Sequence, residues 1–232
     1  MRINHYIARS GVCSRRRADE LIAQGRVLIN EVPASLGQKV APTDVVLVDN
    51  KRISPVPADE HVVLALNKPA GITCTSNPRR RDNIITFVNY PKRVFTIGRL
   101  DRDSRGLILL TDDGDLAYRL TRTEYGHEKE YFVSVDKLIS DSFIKTMSAG
   151  VHILDTVTLP CRVWQTGERE FHIVLTQGLN RQIRRMCEAL GYQVKDLMRT
   201  RILHIVLGNL PEGKLRELTG KERTELDKLV MK

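Results

Sequence analysis

Several features that mark common protein classes are missing from this sequence. No run of about 18 apolar residues is present, so a transmembrane helix is not expected, and the polar start lacks the apolar core of a secretory signal. The four cysteines stand singly, with no CxxC pair, which argues against a zinc ribbon or a disulfide framework and for reduced thiols in the cytoplasm. No HExxH, P-loop or strand-associated GxGxxG motif is found, so nothing here points to a metal or a cofactor.

Acidic residues are also in short supply relative to basic ones. The 232 residues include 37 Lys and Arg against 28 Asp and Glu, for a formal net charge of +9. Such a field attracts polyanions, usually nucleic acid or an anionic membrane surface. The basic residues form separate clusters at 15–17, 79–81 and 177–201. This spread suits an extended, folded RNA better than one compact anion.

The first part of the chain has the pattern of a small domain. Helices are predicted at 2–9 and 15–24 and strands at 26–30 and 45–48. Ser14 is a suitable N-cap for the second helix. Residues 51–60 hold two prolines and few apolar side chains, which is typical of a linker. We therefore predict a domain and linker over 1–58.

The remainder, 59–232, is predicted to be a larger α+β domain. Strands are expected at 62–66, 106–110, 131–135 and 171–175, and helices at 82–90, 115–121, 140–149, 180–190 and 221–231. The order of strands and helices is irregular, which favours an α+β domain over a doubly wound α/β fold.

Three consecutive arginines, Arg15, Arg16 and Arg17, would occupy the first turn of the second predicted helix. A helix N-terminus already carries partial positive charge, so folding alone favours acidic residues there. The arginines have the sign that binds a phosphate. The alternative is a solvated surface turn that binds nothing.

Asp101 lies among arginines at positions 99, 102 and 105, just before an apolar run at 107–110. Neighbouring cations keep a carboxylate ionised, as a nucleophile or a base requires. The same pattern fits a structural Arg–Asp clamp within a loop, and the residues alone leave both interpretations open.

Four segments together resemble one family, in that family's order. They are NKPAG at 67–71, GRLD at 98–101 with SRGLILLTDDGDL at 104–116, EKEY at 128–131 and QGLNRQIRRM at 177–186. They are similar to motifs of the RsuA/RluB/RluF-type rRNA pseudouridine synthases, and the N-terminal unit resembles an S4 RNA-binding domain. Within the family, GLNRQIRRM and RTR at 199–201 look closest to RluF-type enzymes of large-subunit rRNA. Ser104 replaces the Thr of many relatives but keeps the hydroxyl.

The resemblance implies a fold and an activity. The fold would be an S4-type α/β domain followed by a catalytic domain with a mixed, mainly antiparallel sheet flanked by helices. The activity would be isomerisation of a uridine to pseudouridine in RNA, with 23S rRNA as the expected substrate and no cofactor or metal. The flipped nucleotide would have to leave its stack, which costs least in a loop or a bulge.

The resemblance also implies roles for particular residues. Asp101 would act at C1′ of the sugar, by attack or by proton abstraction, and Arg184 would be its ion-pair partner. Tyr131 would stack on the base and reach C5, and Ile183 would pack nearby, although the two also fit an ordinary strand aromatic and a helix core residue. Residues expected to contact the RNA are Arg102, Lys129, Arg181, Arg15, Arg16 and Arg17.

Other functions remain compatible with the sequence. The substrate could be small-subunit rRNA or tRNA, or the protein could be a non-catalytic rRNA-binding assembly factor. An aspartate-based phosphohydrolase would need a metal-binding carboxylate cluster. The only nearby one is Asp112, Asp113 and Asp115, which we interpret as a turn and helix cap. We expect RNA as the partner, with no DNA or membrane, and a monomer.

Overall fold

The computed structural model describes residues 1–230, apart from the side chain of Thr123. The helices are α1 Ile3–Arg9, α2 Arg15–Ala23, α3 Ile84–Val88, α4 Gly114–Thr121, α5 Asp141–Ala149, α6 Gln182–Ala189 and α7 Gly220–Val230. The strands are β1 Val27–Ile29, β2 Val32–Pro33, β3 Val46–Val48, β4 Lys51–Ile53, β5 Val63–Lys68, β6 Phe95–Ile97, β7 Arg105–Thr111, β8 Lys129–Val135, β9 His152–Ile153, β10 Thr156–Val157, β11 Arg162–Gly167, β12 Glu170–Leu175, β13 Val194–Ile202, β14 Ile205–Val206 and β15 Leu215–Glu217.

All the predicted helices and strands are present, with ends shifted by a few residues. Residue 231, the last of the helix predicted at 221–231, lies outside the described residues. No helix within 1–230 is both long and apolar enough to cross a membrane.

The chain divides into two compact units. The smaller comprises Met1–Val62 together with Asp112–Gly114, and the larger comprises Val63–Thr111 and Asp115 onward. The smaller unit packs α1 and α2 on a four-stranded sheet of order β2-β1-β3-β4 around an apolar core that includes Ile3, Ile7, Leu21 and Val46. Ser14 caps α2 by accepting a hydrogen bond from the amide of Arg17, as predicted.

The predicted linker at 51–60 requires a correction, because its first residues form β4. This strand pairs antiparallel with β3, and Ile53 packs on the core of the smaller unit. Asp49 and Asn50 both have positive φ angles, 50° and 61°, which is the backbone of a tight two-residue hairpin turn. The hairpin therefore extends the sheet into the segment that composition marked as a linker.

The larger unit is built on one mixed sheet of order β11-β12-β8-β13-β7-β5-β15, with β14 on β13 and β6 on β7. Its strands pair antiparallel except for β7 and β13, which are parallel. One apolar cluster lies between the sheet and helices α5 and α6, and a second involves α4 and α7. This is the α+β arrangement, mainly antiparallel and flanked by helices, that the family resemblance implied.

The nine-residue strand β13 was not predicted, because its sequence VKDLMRTRI contains no apolar run. Its charges are compensated by neighbouring strands instead. Arg105 of β7 donates to Asp196 at 2.5 and 2.9 Å. Arg201 donates to Glu128 and Glu130 at 3.1 and 3.0 Å. Part of the basic cluster at 177–201 is thus internal charge pairing within the sheet.

Candidate active site

Asp101 lies in the loop between β6 and β7, and the side chain of Lys68 hydrogen-bonds to the backbone of this loop. Lys68, at the end of β5, is fully buried and donates from Nζ to the carbonyls of Pro69 and Ile72 at 2.8 and 2.9 Å and to that of Arg102 at 3.4 Å. The amide of Gly71 also donates to the carbonyl of Arg102, at 2.7 Å. Burial lowers the pKa of Lys68. Lys68 therefore supports the Asp101 loop and is too deeply buried to contact an RNA phosphate.

Three separate elements bring their predicted site residues to one cavity of about 120 Å³. Asp101 comes from the loop, Tyr131 from β8 and Ile183 from α6, and all three line it. The Asp101 side chain is 33% exposed, so its carboxylate is accessible to a ligand. Ile183 is buried and also belongs to the core between sheet and helices, as the alternative interpretation expected, while its packing near the base stays a prediction.

The predicted ion pair between Arg184 and Asp101 is wrong. Arg184, on α6, donates from Nη2 to the carbonyl of Asp103 at 3.2 Å and to Oγ of Ser104 at 3.3 Å, and lies 3.5 Å from the Asp103 carboxylate. These acceptors follow Asp101 in the loop. The side chain of Arg184 thus ties α6 to the far end of the loop instead of reaching the catalytic candidate.

Arg181 is the cation that comes nearest to Asp101. Its Nη1 lies 3.9 Å from Oδ2 of Asp101 and 3.3 Å from Oδ1 of Asp103. Partial burial would raise the pKa of Asp103, but hydrogen bonding by Arg181 and the charge of Arg184 outweigh it and hold that pKa below its usual value. Arg181 has a positive φ of 51°, uncommon for a residue with a side chain. Such backbone conformations often occur at functional sites.

Two of the three arginines that flank Asp101 in sequence are directed elsewhere. Arg102 pairs with Asp82 at 3.1 Å and is exposed, while Arg105 pairs with Asp196. Of the three, only Arg99 lines the 120 Å³ cavity, whereas Arg99 and Arg102 both line a neighbouring cavity of about 450 Å³ that Asp101 also lines. Arg102 and Arg105 thus form their ion pairs with carboxylates other than Asp101.

The other predicted RNA-contacting residues fall into two settings. Lys129 is largely buried, and burial together with the charge of Arg199 lowers its pKa to about 8. Arg15, Arg16 and Arg17 are exposed on the first turn of α2 in the smaller unit, and Arg17 pairs with Glu20 at 2.6 Å. The first turn of α2 contains no acidic residue.

The structure adds residues that the sequence did not single out. Asp103 accepts from both Arg181 and Arg184, and Arg199 is 2% exposed on β13. Arg199 stands two positions after the buried Leu197, so it shares the inward face of the strand. An arginine at an inward-facing position of a strand can be noticed in a sequence, but only after the segment has been predicted to be a strand, and β13 was not.

The carboxylates at 112–115 do not form a metal site. Asp112 accepts from the amide of Val62 at 2.9 Å and lies 3.2 Å from Nδ1 of His61. Within residues 1–230, no group of three His, Cys, Asp or Glu side chains could hold a metal ion. Asp112 therefore accepts from the backbone just before β5, and the interpretation of these carboxylates as a turn and helix cap stays a prediction.

Comparisons with known proteins agree with this geometry. Residues 62–189 match the family model of the RNA pseudouridylate synthases, and residues 1–46 match that of the S4 domain. The dual-specificity RNA pseudouridine synthase RluF of Escherichia coli K12 is 53% identical over 230 residues, covering 99% of this chain and 79% of the relative. The ribosomal large subunit pseudouridine synthase B of Bacillus subtilis is 34% identical, covering 95% and 93%.

A solved crystal structure of a pseudouridylate synthase extends the likeness to three dimensions. It superposes with a TM-score of 0.71 at 28% identity and covers 99% of both chains. A family match over more than half of the chain, and relatives above 30% identity over nearly all of it, establish its membership. This chain is therefore an RNA pseudouridine synthase with an N-terminal S4 domain.

Proposed function

We propose that this protein isomerises a specific uridine of large-subunit (23S) ribosomal RNA to pseudouridine, with Asp101 as the catalytic carboxylate. The observation that carries the proposal is the convergence of Asp101, Tyr131 and Ile183 on one cavity from a loop, a strand and a helix. The names of the relatives from E. coli and B. subtilis support RNA, and the latter large-subunit RNA, as the substrate.

The reaction cleaves the C1′–N1 bond, turns the uracil and joins C5 to C1′, after which C5 loses its proton. Asp101 would act at C1′, either by attack on the sugar or by removal of a sugar proton. Arg181, the nearest cation, would orient the carboxylate by the attraction of opposite charges. Tyr131 would stack on the base and receive the C5 proton, directly or through water.

Binding of the RNA would use charge at the surface. Arg102, which is 65% exposed, would contact backbone phosphates, and so would the exposed Arg15, Arg16 and Arg17 of the smaller unit. The binding energy would offset the cost of flipping the uridine into the cavity, which is a few kcal/mol. Arg184 would act indirectly, through its hold on Asp103 and Ser104.

We also propose that the protein is a monomer. We place the protein in the cytoplasm, where bacterial ribosomal RNA is made. We also propose the division 1–58 and 59–232 as the working boundary between the S4-like domain with its linker and the catalytic domain.

The test is the substitution Asp101→Asn, which keeps the size of the side chain and removes its charge. Tritium release from transcripts labelled at C5 of uridine measures turnover, and filter binding measures affinity. Turnover should be lost while affinity for RNA is nearly unchanged. Asp155→Asn is a matched control, since Asp155 is exposed in a turn with φ of 58°, which Asn tolerates.

Activity of Asp101→Asn within tenfold of the parent protein would refute the role of Asp101. The substrate is tested separately. Transcripts of 23S, 16S and transfer RNA are compared, and the modified position is mapped by a pseudouridine-specific chemical reaction. Modification of 16S or transfer RNA alone would overturn the assignment to the large subunit.

A further inference from the structure

A second cavity, of about 160 Å³, adjoins the one that contains Asp101. The two share Arg99, Tyr131 and Gly178 in their walls. The second cavity adds Lys129 of β8 and Arg199 of β13, neither of which lines the first. Tyr131 therefore borders both the cavity that Asp101 lines and the cavity that Lys129 and Arg199 line.

Within residues 1–230, Lys129 and Arg199 of the second cavity form no ion pair with an acidic side chain. Nε of Arg199 donates to the carbonyl of Leu107 at 2.7 Å, but its Nη2 is buried and makes no hydrogen bond within the described part of the chain. Nζ of Lys129 donates to the carbonyl of His127 at 3.1 Å. No Asp or Glu is among the residues that line this cavity. Buried cations are normally paired, so this arrangement indicates a site prepared for negative charge from a ligand.

The rest of the lining indicates what kind of ligand would fit. Side chains of Ile97, Leu120 and Ile202 supply the apolar part of the remaining wall, beside Thr121 and two glycines. A backbone phosphate is strongly hydrated and would be met by exposed arginines at the surface. A flat heterocycle that carries carbonyl oxygens matches apolar walls with inward donors.

The proposed reaction produces such a species. When the C1′–N1 bond breaks, its electron pair stays with the uracil, and the negative charge spreads over N1, O2 and O4. This holds whether Asp101 attacks C1′ or removes a sugar proton. Hydrogen-bond donors held in a water-poor site stabilise developing charge much more effectively than they do in water.

Building on the proposed function, we propose that Lys129 and Arg199 are further catalytic residues, which receive the carbonyl oxygens of the detached uracil. They hold the anion beside Tyr131 while it turns to present C5 to C1′. When C5 bonds to C1′, the bond from C1′ to Asp101 breaks, or the sugar proton that Asp101 removed is returned. The C5 proton then leaves to Tyr131, directly or through water, and N1 takes up a proton by the same route.

The first test uses Arg199→Met and Lys129→Met in the full-length protein. Single-turnover tritium release is measured with C5-labelled 23S rRNA transcripts at saturating enzyme. Each variant should react about 100-fold more slowly, the loss seen when one such donor is removed, with affinity for RNA within about threefold because the donors act after bond cleavage. Arg201→Met is the control, since Arg201 lies on the same strand but is paired with Glu128 and Glu130. Its rate should stay within about threefold of the parent rate.

A second measurement does not depend on the stability of Arg199→Met. Transcripts made with 4-thiouridine or 2-thiouridine present sulfur, a weaker acceptor, in place of O4 or O2. At least one should slow the parent protein, and the slowing should shrink in Lys129→Met and in Arg199→Lys. Two outcomes overturn the inference. In one, the thiouridine transcripts slow the parent protein and the variants by the same factor. In the other, both Met variants react within fivefold of the parent rate. If the parent protein itself releases no tritium from any RNA tested, the proposed function fails instead.

Discussion

Replacing Arg184 by Met should destabilise the protein moderately and slow its reaction. Arg184 donates to the carbonyl of Asp103 and to Oγ of Ser104, and it neighbours the Asp103 carboxylate. Removing one member of a fully buried pair would cost about 3–5 kcal/mol. Asp103, however, is 53% exposed, so water can replace part of the loss. We therefore expect about 2 kcal/mol, the range of a hydrogen bond to a charged group.

For a domain of this size, a loss of about 2 kcal/mol corresponds to a fall in Tm of about 4–8 °C. Calorimetry near neutral pH measures it. The difference between parent and variant should narrow at acidic pH. The pKa of Asp103 is depressed in the folded protein, so its contribution to stability is present above the unfolded pKa and is lost as pH falls through the folded pKa.

The matched control is Arg185→Met, on the next residue of α6, where the guanidinium donates only to Asn180. Its Tm should change by less than about 2 °C, as is usual for substitutions away from buried features. Tritium release by Arg184→Met should fall because the Asp101 loop loses a support. Parent-like Tm and rate in Arg184→Met would show that the contacts to Asp103 and Ser104 carry no energy and would refute this reasoning.

Three further predictions concern other parts of the chain. Changing Arg15–Arg17 to Gln should reduce the slope of log affinity against log salt by about 0.7–0.9 per lost phosphate contact; an unaltered slope would identify a solvated helix end. Deleting 1–58 should leave a folded domain that acts poorly on its natural RNA, whereas an aggregated product in gel filtration would place the boundary elsewhere. Lys129 has a pKa of about 8 instead of about 10.5, so it binds fewer protons when folded, and stability should rise between these pH values. Denaturant titrations of Lys129→Met should lack that rise.

Within the described residues, all seven helices and six of the fifteen strands were predicted, because their signals are local. Apolar spacing located the helices, and Ser14 located the start of α2 by a capping interaction that spans three residues. The β4 strand and β13 were missed for opposite reasons. The first lies in a segment whose prolines suggested a linker, and the second has charges at positions where an isolated strand would show apolar residues.

The sequence by itself determined the family, the catalytic candidates and the excess of positive charge, because motifs and composition are written in the order and type of residues. Only the tertiary structure decided which charges meet. Arg102 and Arg105, near Asp101 in sequence, pair with Asp82 and Asp196, while Arg181, 80 positions away, approaches Asp101 to 3.9 Å. Likewise, the sequence alone does not reveal that Arg199 forms no ion pair with an acidic side chain within residues 1–230. Pairing depends on distances of a few ångströms between side chains, and the sheet order and the path of the loop set those distances.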